Sequence, residues 1–137
     1  MLFRSMLRAA RRRLPAARLA RADALQLPFP SEAFDLVWAG YLLDLIPTGE
    51  MIALLVEFRR VLHRGGRLVL VNLSKNGERR TRWERFYERT PAWLVPWMFG
   101  ACRPVEAEPF VRQAGFVEVE REFVGEGLPS EIITAKK

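Results

Sequence analysis

Residues 57–70 join a helical pattern to a short apolar run, and this junction decides the fold. They read Glu57-Phe58-Arg59-Arg60-Val61-Leu62-His63-Arg64-Gly65-Gly66-Arg67-Leu68-Val69-Leu70. Apolar residues recur at helical spacing up to the junction: Met51, Leu55, Phe58 and Leu62. Gly65-Gly66 is predicted to end this helix, because a left-handed residue commonly follows a helix. The run 67–73 then predicts a buried strand.

A second apolar run, Phe34 to Tyr41, comes before this helix. It is too short for a helix and is flanked by turn residues, which predicts a strand buried on both faces, as in a parallel sheet. Pro47-Thr48-Gly49 is predicted to start the helix, with Thr48 as its N-cap. Strand, helix and strand within about 40 residues form a βαβ crossover with parallel strands.

The rest of the chain alternates between helical and extended patterns around this unit. The predicted elements are a helix over 2–14, a strand over 17–25, a charged helix over 75–89, an irregular aromatic stretch over 90–104, a helix over 109–114 stopped by Gly115, and strands over 116–124 and 131–135. Gly125, Gly127 and Pro129 separate the last two strands, which favours an antiparallel return.

The basic charge is concentrated at the N-terminus. The net charge is +6, but seven of the 22 Lys and Arg residues and no acid lie in residues 1–22. Residues 23–137 contain the other 15 basic residues and all 16 acidic residues. Three interpretations stay open: a mitochondrial transit peptide, a basic helix that grips nucleic-acid phosphates or an anionic membrane surface, and a solvated helix whose apolar stripe docks on a sheet. We favour the third, because charge runs are usually solvated faces.

Composition limits the classes of protein that the chain can belong to. Half of its 137 residues are hydrophobic, which excludes a disordered chain and suits one domain. A single Cys (Cys102) and a single His (His63) argue against a disulfide framework or a metal site, and favour a reducing, cytoplasmic location. The longest apolar run, 92–102, contains Pro96 and is far shorter than the roughly 20 residues of a membrane span.

The order of these motifs resembles the class I S-adenosylmethionine-dependent methyltransferases, and most closely their ubiquinone/menaquinone-type (type 11) group. Four pieces carry the resemblance, over roughly residues 5–137: 23–30 (DALQLPFP), 33–37 (AFDLV), 57–70 and 114–116 (AGF). The resemblance implies an α/β fold, namely an incomplete Rossmann-like sheet that is mostly parallel, with an antiparallel C-terminal strand pair and helices on both faces. It also implies S-adenosylmethionine as cofactor.

The resemblance assigns cofactor-binding roles to two groups of residues. In the first group, Asp23 accepts from the adenine amino group, the backbone amide of Ala24 meets a ring nitrogen, and Leu25 follows them; the alternative is that Asp23 caps a turn. The second group is Ala39, Gly40 and Tyr41, at the carboxyl end of a predicted strand, where open α/β sheets bind ligands.

Candidate residues for the methyl acceptor lie at that strand end and in a later insertion. Tyr41 and Asp44 are the candidate catalytic residues, with Asp44 as a general base; the favoured alternative is that Asp44 caps a turn. The insertion, residues 79–104, is basic and aromatic, and lies where the family selects substrates. Four of its aromatic residues are candidates for a lid over an apolar acceptor such as a quinone precursor or a lipid, or for a small satellite core: Trp83, Tyr87, Trp93 and Trp97.

The sequence also departs from the family pattern. No Gly precedes Gly40 and no acid precedes Asp23, so the family's Gly-rich loop and ribose-binding acid are absent from residues 1–22. We therefore expect residues 1–137 to form one truncated domain that holds only part of the cofactor site. Strand 17–25 would then lack a partner, and strand 34–41 would be an edge that invites pairing with a second copy.

Two functions follow as alternatives. The first is methyl transfer to a small-molecule or lipid-like acceptor, with peripheral membrane contact and without nucleic acid. The second is a non-catalytic Rossmann-like remnant that binds an anionic partner through its basic N-terminal helix.

Overall fold

The computed structural model describes residues 2–74, Arg89, 104–124 and 130–137, with side chains from Met6 onward. Its elements are, in chain order, α1 (Leu2–Arg13), β1 (Phe34–Gly40), two 3₁₀ turns (Leu43–Leu45 and Thr48–Glu50), α2 (Met51–Val61), β2 (Leu62–Leu73), α3 (Glu108–Gln113), β3 (Val117–Val124) and β4 (Ser130–Lys136). The predictions for 75–89 and for 90–104 fall outside the described residues, except at Arg89 and Pro104.

The four described strands form one mixed sheet in the order β1-β2-β4-β3. β1 and β2 are parallel, because α2 carries the chain back across the sheet between them, whereas β4 is antiparallel to both β2 and β3. The α/β class and the antiparallel C-terminal pair are thus confirmed, and β1–β2 is the parallel part of the described sheet.

The core lies between one face of this sheet and the helices α2 and α3. Its fully buried side chains come from both layers: Leu54 and Leu55 of α2, Val111 of α3, Leu68 and Leu70 of β2, and Ile133 of β4. Burying each such side chain contributes about 1.5–3 kcal/mol. This layer fixes where β1 and β2 end, and so where the candidate site lies.

The opposite face of the described sheet is exposed at β1. Leu36 and Trp38 of β1 are 53% and 65% exposed, and no described helix packs extensively against that face. The prediction of a strand buried on both faces is therefore wrong for β1, because only α2 and α3 cover the described sheet. The prediction that this strand lies at an edge is confirmed.

The junction between α2 and β2 differs from the prediction. α2 ends at Val61, because Leu62 is already extended, and Gly65 and Gly66 lie inside β2. Gly65 does take a left-handed φ of 74°. A Cβ on Gly66 would lie 2.9 Å from the carbonyl oxygen of His63, so a side chain there has no room. Thr48 forms no N-cap; it lies within the 3₁₀ turn that leads into α2, and Pro47 before it makes no side-chain cap.

Residues 17–25 do not form the predicted strand. The only strand-like contact in this segment is an isolated bridge between Asp23 and Gln26. A strand needs a neighbour for its backbone groups, and none of the described strands lies beside this segment. The helix at 2–14 is confirmed as α1, but α1 does not pack extensively on the described sheet.

Candidate functional site

The first candidate group lies where β1 ends, at the carboxyl edge of the parallel pair. Ala39 is buried in the core and Gly40 is half-buried. A Cβ on Gly40 would lie 2.7 Å from Cη2 of Trp38, because the indole ring lies over this glycine. Packing of Trp38 therefore explains the absence of a side chain at Gly40 without a cofactor.

Tyr41 follows β1 in a strained backbone conformation. Its φ is 54°, a left-handed value that costs a residue with a side chain about 1–2 kcal/mol. Two contacts hold it there: its N–H donates to the carbonyl of Val71 at 2.6 Å, and its Oη shares a 3.1 Å hydrogen bond with Oγ of Ser130. Such strain is frequent at functional sites. The hydroxyl is thus fixed at the edge where β1, β2 and β4 meet.

Asp44 is fully buried in the 3₁₀ turn after Tyr41. Both of its carboxylate oxygens lie within reach of the N–H of Leu73, at 3.1 and 3.2 Å. The carboxylate thereby caps the last backbone donor of β2. This geometry favours the turn-capping role over that of a general base, which must reach its substrate.

Asp23 lies in the turn between α1 and β1. Its Oδ1 accepts the N–H of Leu25 at 3.0 Å, and its carbonyl accepts the N–H of Gln26 at 3.1 Å. Ala24 and Leu25 pack against the core and hold the turn in place. The turn-capping alternative therefore accounts for Oδ1 of Asp23, which accepts the N–H of Leu25, but not for Oδ2.

A cavity of about 740 Å³ opens beside this turn. Its lining combines one side of α1 with the segment that leads to Asp23: Met6, Leu7, Ala10, Ala20, Arg21, Ala22 and Asp23. The cavity is a groove open to solvent, since five of its seven lining residues are exposed, and its wall is apolar with two charged groups. Ala39, Gly40 and Tyr41 are not among its lining residues.

An ion pair on α2 fixes the segment between Asp23 and β1. Oε1 of Glu57 accepts the N–H of Leu27 at 2.8 Å, and Arg60 bonds to both oxygens of Glu57 at 2.8 Å. Arg60 also donates to the carbonyl of Leu27 and to Oγ of Ser31, at 3.3 Å each. The hydrogen bonds from Arg60 lower the pKa of Glu57, and burial opposes them only in part.

The carboxyl end of β2 contains a buried polar cluster that the sequence patterns did not predict. At its centre, Oε1 of Glu131 accepts Nδ2 of Asn72 at 2.6 Å and the N–H of Ala107 at 3.3 Å. Oε2 accepts Nε of Arg121 at 2.6 Å and Oγ of Ser74 at 3.5 Å. Oδ1 of Asn72 has no hydrogen-bond partner among the described residues. The feature of the sequence that could have indicated this cluster is Asn72, a polar residue at an inward position of the apolar run 67–73.

Some predicted features lie outside this geometry. Trp83, Tyr87, Trp93 and Trp97 are not among the described residues. Within the described ranges, no group of three His, Cys, Asp or Glu residues could hold a metal ion. No helix in the same ranges is long and apolar enough to cross a membrane.

Comparison with known proteins identifies the family. A family profile described as a methyltransferase domain, of the type 11 group, matches residues 2–70, half of the chain. The chain belongs to this family, the class I S-adenosylmethionine-dependent methyltransferases of the type 11 group. The match includes α1, the turn at Asp23, β1, α2 and most of β2.

Two relatives and one solved structure are similar to the chain. It is 40% identical over 58 residues to a phosphatidylethanolamine N-methyltransferase of Cereibacter sphaeroides, and 34% identical over 98 residues to a ubiquinone/menaquinone biosynthesis C-methyltransferase of Cupriavidus metallidurans. These matches cover 42% and 69% of the chain, and 28% and 38% of the relatives.

The solved structure is an S-adenosylmethionine-dependent methyltransferase of Thermotoga maritima, a possible histamine N-methyltransferase. It matches with a TM-score of 0.74 at 20% identity, over 97% of this chain and 69% of that one. At this identity the likeness shows the fold, in agreement with the four-stranded mixed sheet.

Proposed function

We propose that this chain takes part in methyl transfer from S-adenosylmethionine to a small-molecule or lipid-like acceptor. The observation that carries the proposal is the cavity beside Asp23, because it lies within the residues that match the family and combines an apolar wall with a carboxylate. S-adenosylmethionine is the cofactor of this family. When bound, it supplies the methyl group by in-line displacement at its sulfonium, so the protein has only to bind and align the reactants.

The turn at Asp23 fits the adenine end of the cofactor. Oδ1 already accepts from Leu25, which fixes the carboxylate and leaves Oδ2 as an acceptor for an exocyclic amino group. Met6, Leu7 and Ala10 offer an apolar wall of the kind that suits an aromatic ring. A hydrogen bond to a charged group contributes about 1.5–3 kcal/mol, so Asp23 is expected to dominate recognition at this end.

The strand edge at Tyr41 is assigned to the reacting end. Tyr41 would contact the cofactor or acceptor through its hydroxyl, which Ser130 orients. Asp44 would act as a positioning residue, because its carboxylate fixes the end of β2 at Leu73. Ala39 and Gly40 would add no bulky side chain of their own at this edge, where the indole of Trp38 lies over Gly40.

The class of acceptor is supported by the names of the relatives. One of them acts on phosphatidylethanolamine, and the other belongs to ubiquinone and menaquinone biosynthesis. Both names point to apolar, lipid-like compounds. The aromatic residues predicted to meet such an acceptor are those of the insertion, Trp83, Tyr87, Trp93 and Trp97.

A titration with adenosine and with S-adenosylmethionine, followed by NMR, tests the assignment of Asp23. We expect weak binding of both ligands, on the order of a millimolar, because residues 1–22 lack the family's Gly-rich loop. Shifts should concentrate at Met6, Ala10 and Ala22. Asp23→Asn should weaken binding at least about tenfold: its amide keeps an oxygen for Leu25 but turns the other acceptor into a donor.

Asp35→Asn is the matched control, since Asp35 is an exposed carboxylate of β1 outside the cavity. It should leave both affinities unchanged. Equal binding by the Asp23 and Asp35 variants would overturn the adenine assignment. Micromolar binding of S-adenosylmethionine would contradict the expectation that this chain holds only part of the cofactor site.

The second candidate function, binding of an anionic partner, is favoured by a separate observation. The described arginine side chains of α1 and of the segment after it, from Arg8 to Arg21, form no ion pair with a described residue. This feature is independent of the chemistry of the cavity.

A further inference from the structure

α1 and the segment after it carry a dense, unneutralised positive charge. Six arginine side chains of this region belong to the described residues: Arg8, Arg11, Arg12, Arg13, Arg18 and Arg21. None of these side chains forms an ion pair or hydrogen bond with any described residue. The first acid in the sequence is Asp23. Like charges held this close raise the free energy of the folded chain unless a partner of opposite charge is present.

Three of the four described arginines of α1 share one side of the helix, whereas Arg13 lies on the opposite side, near Met6. At 3.6 residues per turn, Arg8, Arg11 and Arg12 fall on the same arc, while Leu7 and Ala10 lie on the side that faces the cavity. Two apolar side chains remain exposed, Met6 at 62% and, just past the helix, Leu14 at 60%. Exposed apolar groups that border an arginine-rich face are the pattern of helices that lie in the membrane interface.

The chemistry of this surface fits an anionic lipid bilayer better than nucleic acid. Residues 6–22 contain no aromatic side chain on which a base would stack, and no Asn or Gln to read a base edge. They do combine arginines with Met6, Leu14 and Leu19. Arginine binds phosphate oxygens in bidentate fashion, and flanking apolar side chains can enter the acyl boundary below the phosphates.

We propose that α1 with residues 14–22 docks this chain on the surface of an anionic membrane. The arginines contact lipid phosphates, and Met6 and Leu14 insert beside them. This docking deepens the second candidate function, to which it gives a lipid partner, and it does not depend on methyl transfer, because it needs neither cofactor nor acceptor. Together with a lipid-like acceptor, it would place the cavity next to α1 close to the bilayer that holds the substrate.

Vesicle flotation with the whole chain tests the proposal. The chain should float with phosphatidylglycerol-containing vesicles, remain unbound with pure phosphatidylcholine, and dissociate as salt screens the charges. Each arginine at an anionic surface is worth about fivefold in partitioning, so Arg11→Ala with Arg12→Ala should weaken binding about 30-fold. Circular dichroism should show unchanged helix content, since alanine is a good helix former.

Arg64→Ala with Arg67→Ala is the matched control, because it removes the same charge from two exposed arginines of β2. It should change partitioning much less, by about twofold or less. Equal losses in the two double variants would overturn a local docking surface, and so would binding to pure phosphatidylcholine. Met6→Ser with Leu14→Ser should weaken binding without a change in charge, and no effect would overturn the insertion of these side chains.

Two further measurements separate a bilayer from other phosphate sources. Inorganic phosphate at the ionic strength of the salt control should displace the chain no more than sodium chloride does; stronger displacement would overturn the lipid assignment in favour of a site for free phosphate. Tighter binding to a short DNA duplex than to anionic vesicles at the same salt would overturn it as well. The two proposals can fail separately. If the chain binds anionic vesicles but Asp23→Asn leaves the affinity for adenosine unchanged, membrane docking stands and the assignment of Asp23 to the cofactor fails.

Discussion

A single carboxylate, that of Glu131, holds together four parts of the chain at the carboxyl end of the sheet. Its oxygens face donors only: Asn72 and Ala107 at one, Arg121 and Ser74 at the other. Glu131→Gln would place an amide N–H₂ against one of these donors and remove the charge that Arg121 faces. We expect the free energy of unfolding to fall by about 2–4 kcal/mol, measured by urea denaturation.

Glu122→Gln is the control for this change, because Glu122 is an exposed carboxylate on the neighbouring β3. It should alter stability by less than about 0.5 kcal/mol. A loss below about 1 kcal/mol for Glu131→Gln would contradict the donor-only environment of this carboxylate.

The pair of Glu57 and Arg60 makes stability depend on pH in a predictable direction. Arg60 lowers the pKa of Glu57 in the folded chain below its ordinary value of 4.5. A lowered folded pKa adds stability that is fully present above the ordinary pKa and is lost as pH falls through the folded value. The melting temperature of the parent chain should therefore exceed that of Glu57→Gln by a few degrees at neutral pH, and the gap should close in acid.

Glu120→Gln serves as the reference for that measurement, since Glu120 is exposed and lies on β3. Its difference from the parent should stay small and nearly constant across the same pH series. If the gap for Glu57→Gln widened in acid instead, the folded chain could not be lowering the pKa of Glu57.

At the scale of elements, local patterns predict what local interactions determine. α1, β1, α3 and the antiparallel pair of β3 and β4 match their predicted positions within a few residues. The predictions are wrong where the presence or absence of a neighbouring strand determines the local structure. Residues 17–25 have an extended pattern but no described strand beside them, and α2 stops before Gly65 because Leu62 already pairs with Phe34 of β1.

The candidate site shows the same division. Asp23, Tyr41 and Asp44 are predictable from their positions at element ends, and each lies in a turn with a defined hydrogen bond. Glu131 is not, because its contacts come from Asn72, Ala107 and Arg121, which are far apart in sequence. Only the antiparallel register that places Asn72 opposite Glu131 brings this pair together.

At the scale of the molecule, the described helices cover one face of the sheet, and β1 is an edge strand among the described strands. β1 pairs with β2 alone among the described strands, so its outer backbone groups have no described partner strand. Leu36 and Trp38 project from its uncovered face. A parallel strand pair is normally buried on both faces, and natural edge strands usually carry charge, proline or a bulge against pairing. β1 has such features only at its start, namely the charge of Asp35 and a register shift between Phe34 and Leu36, and the stretch 36–40 has none of them.

We therefore expect this edge to pair with a second copy of the chain, which sedimentation velocity over a range of concentrations will show as a rising sedimentation coefficient. Trp38→Lys should keep the chain monomeric over the same range, because a lysine there opposes close strand pairing. Val56→Lys is the matched control: Val56 is also exposed, at 49%, but lies on α2. It should leave association unchanged. Equal suppression by both lysines would assign association to general surface hydrophobicity, and a parent chain that stays monomeric throughout would show that β1 does not self-pair.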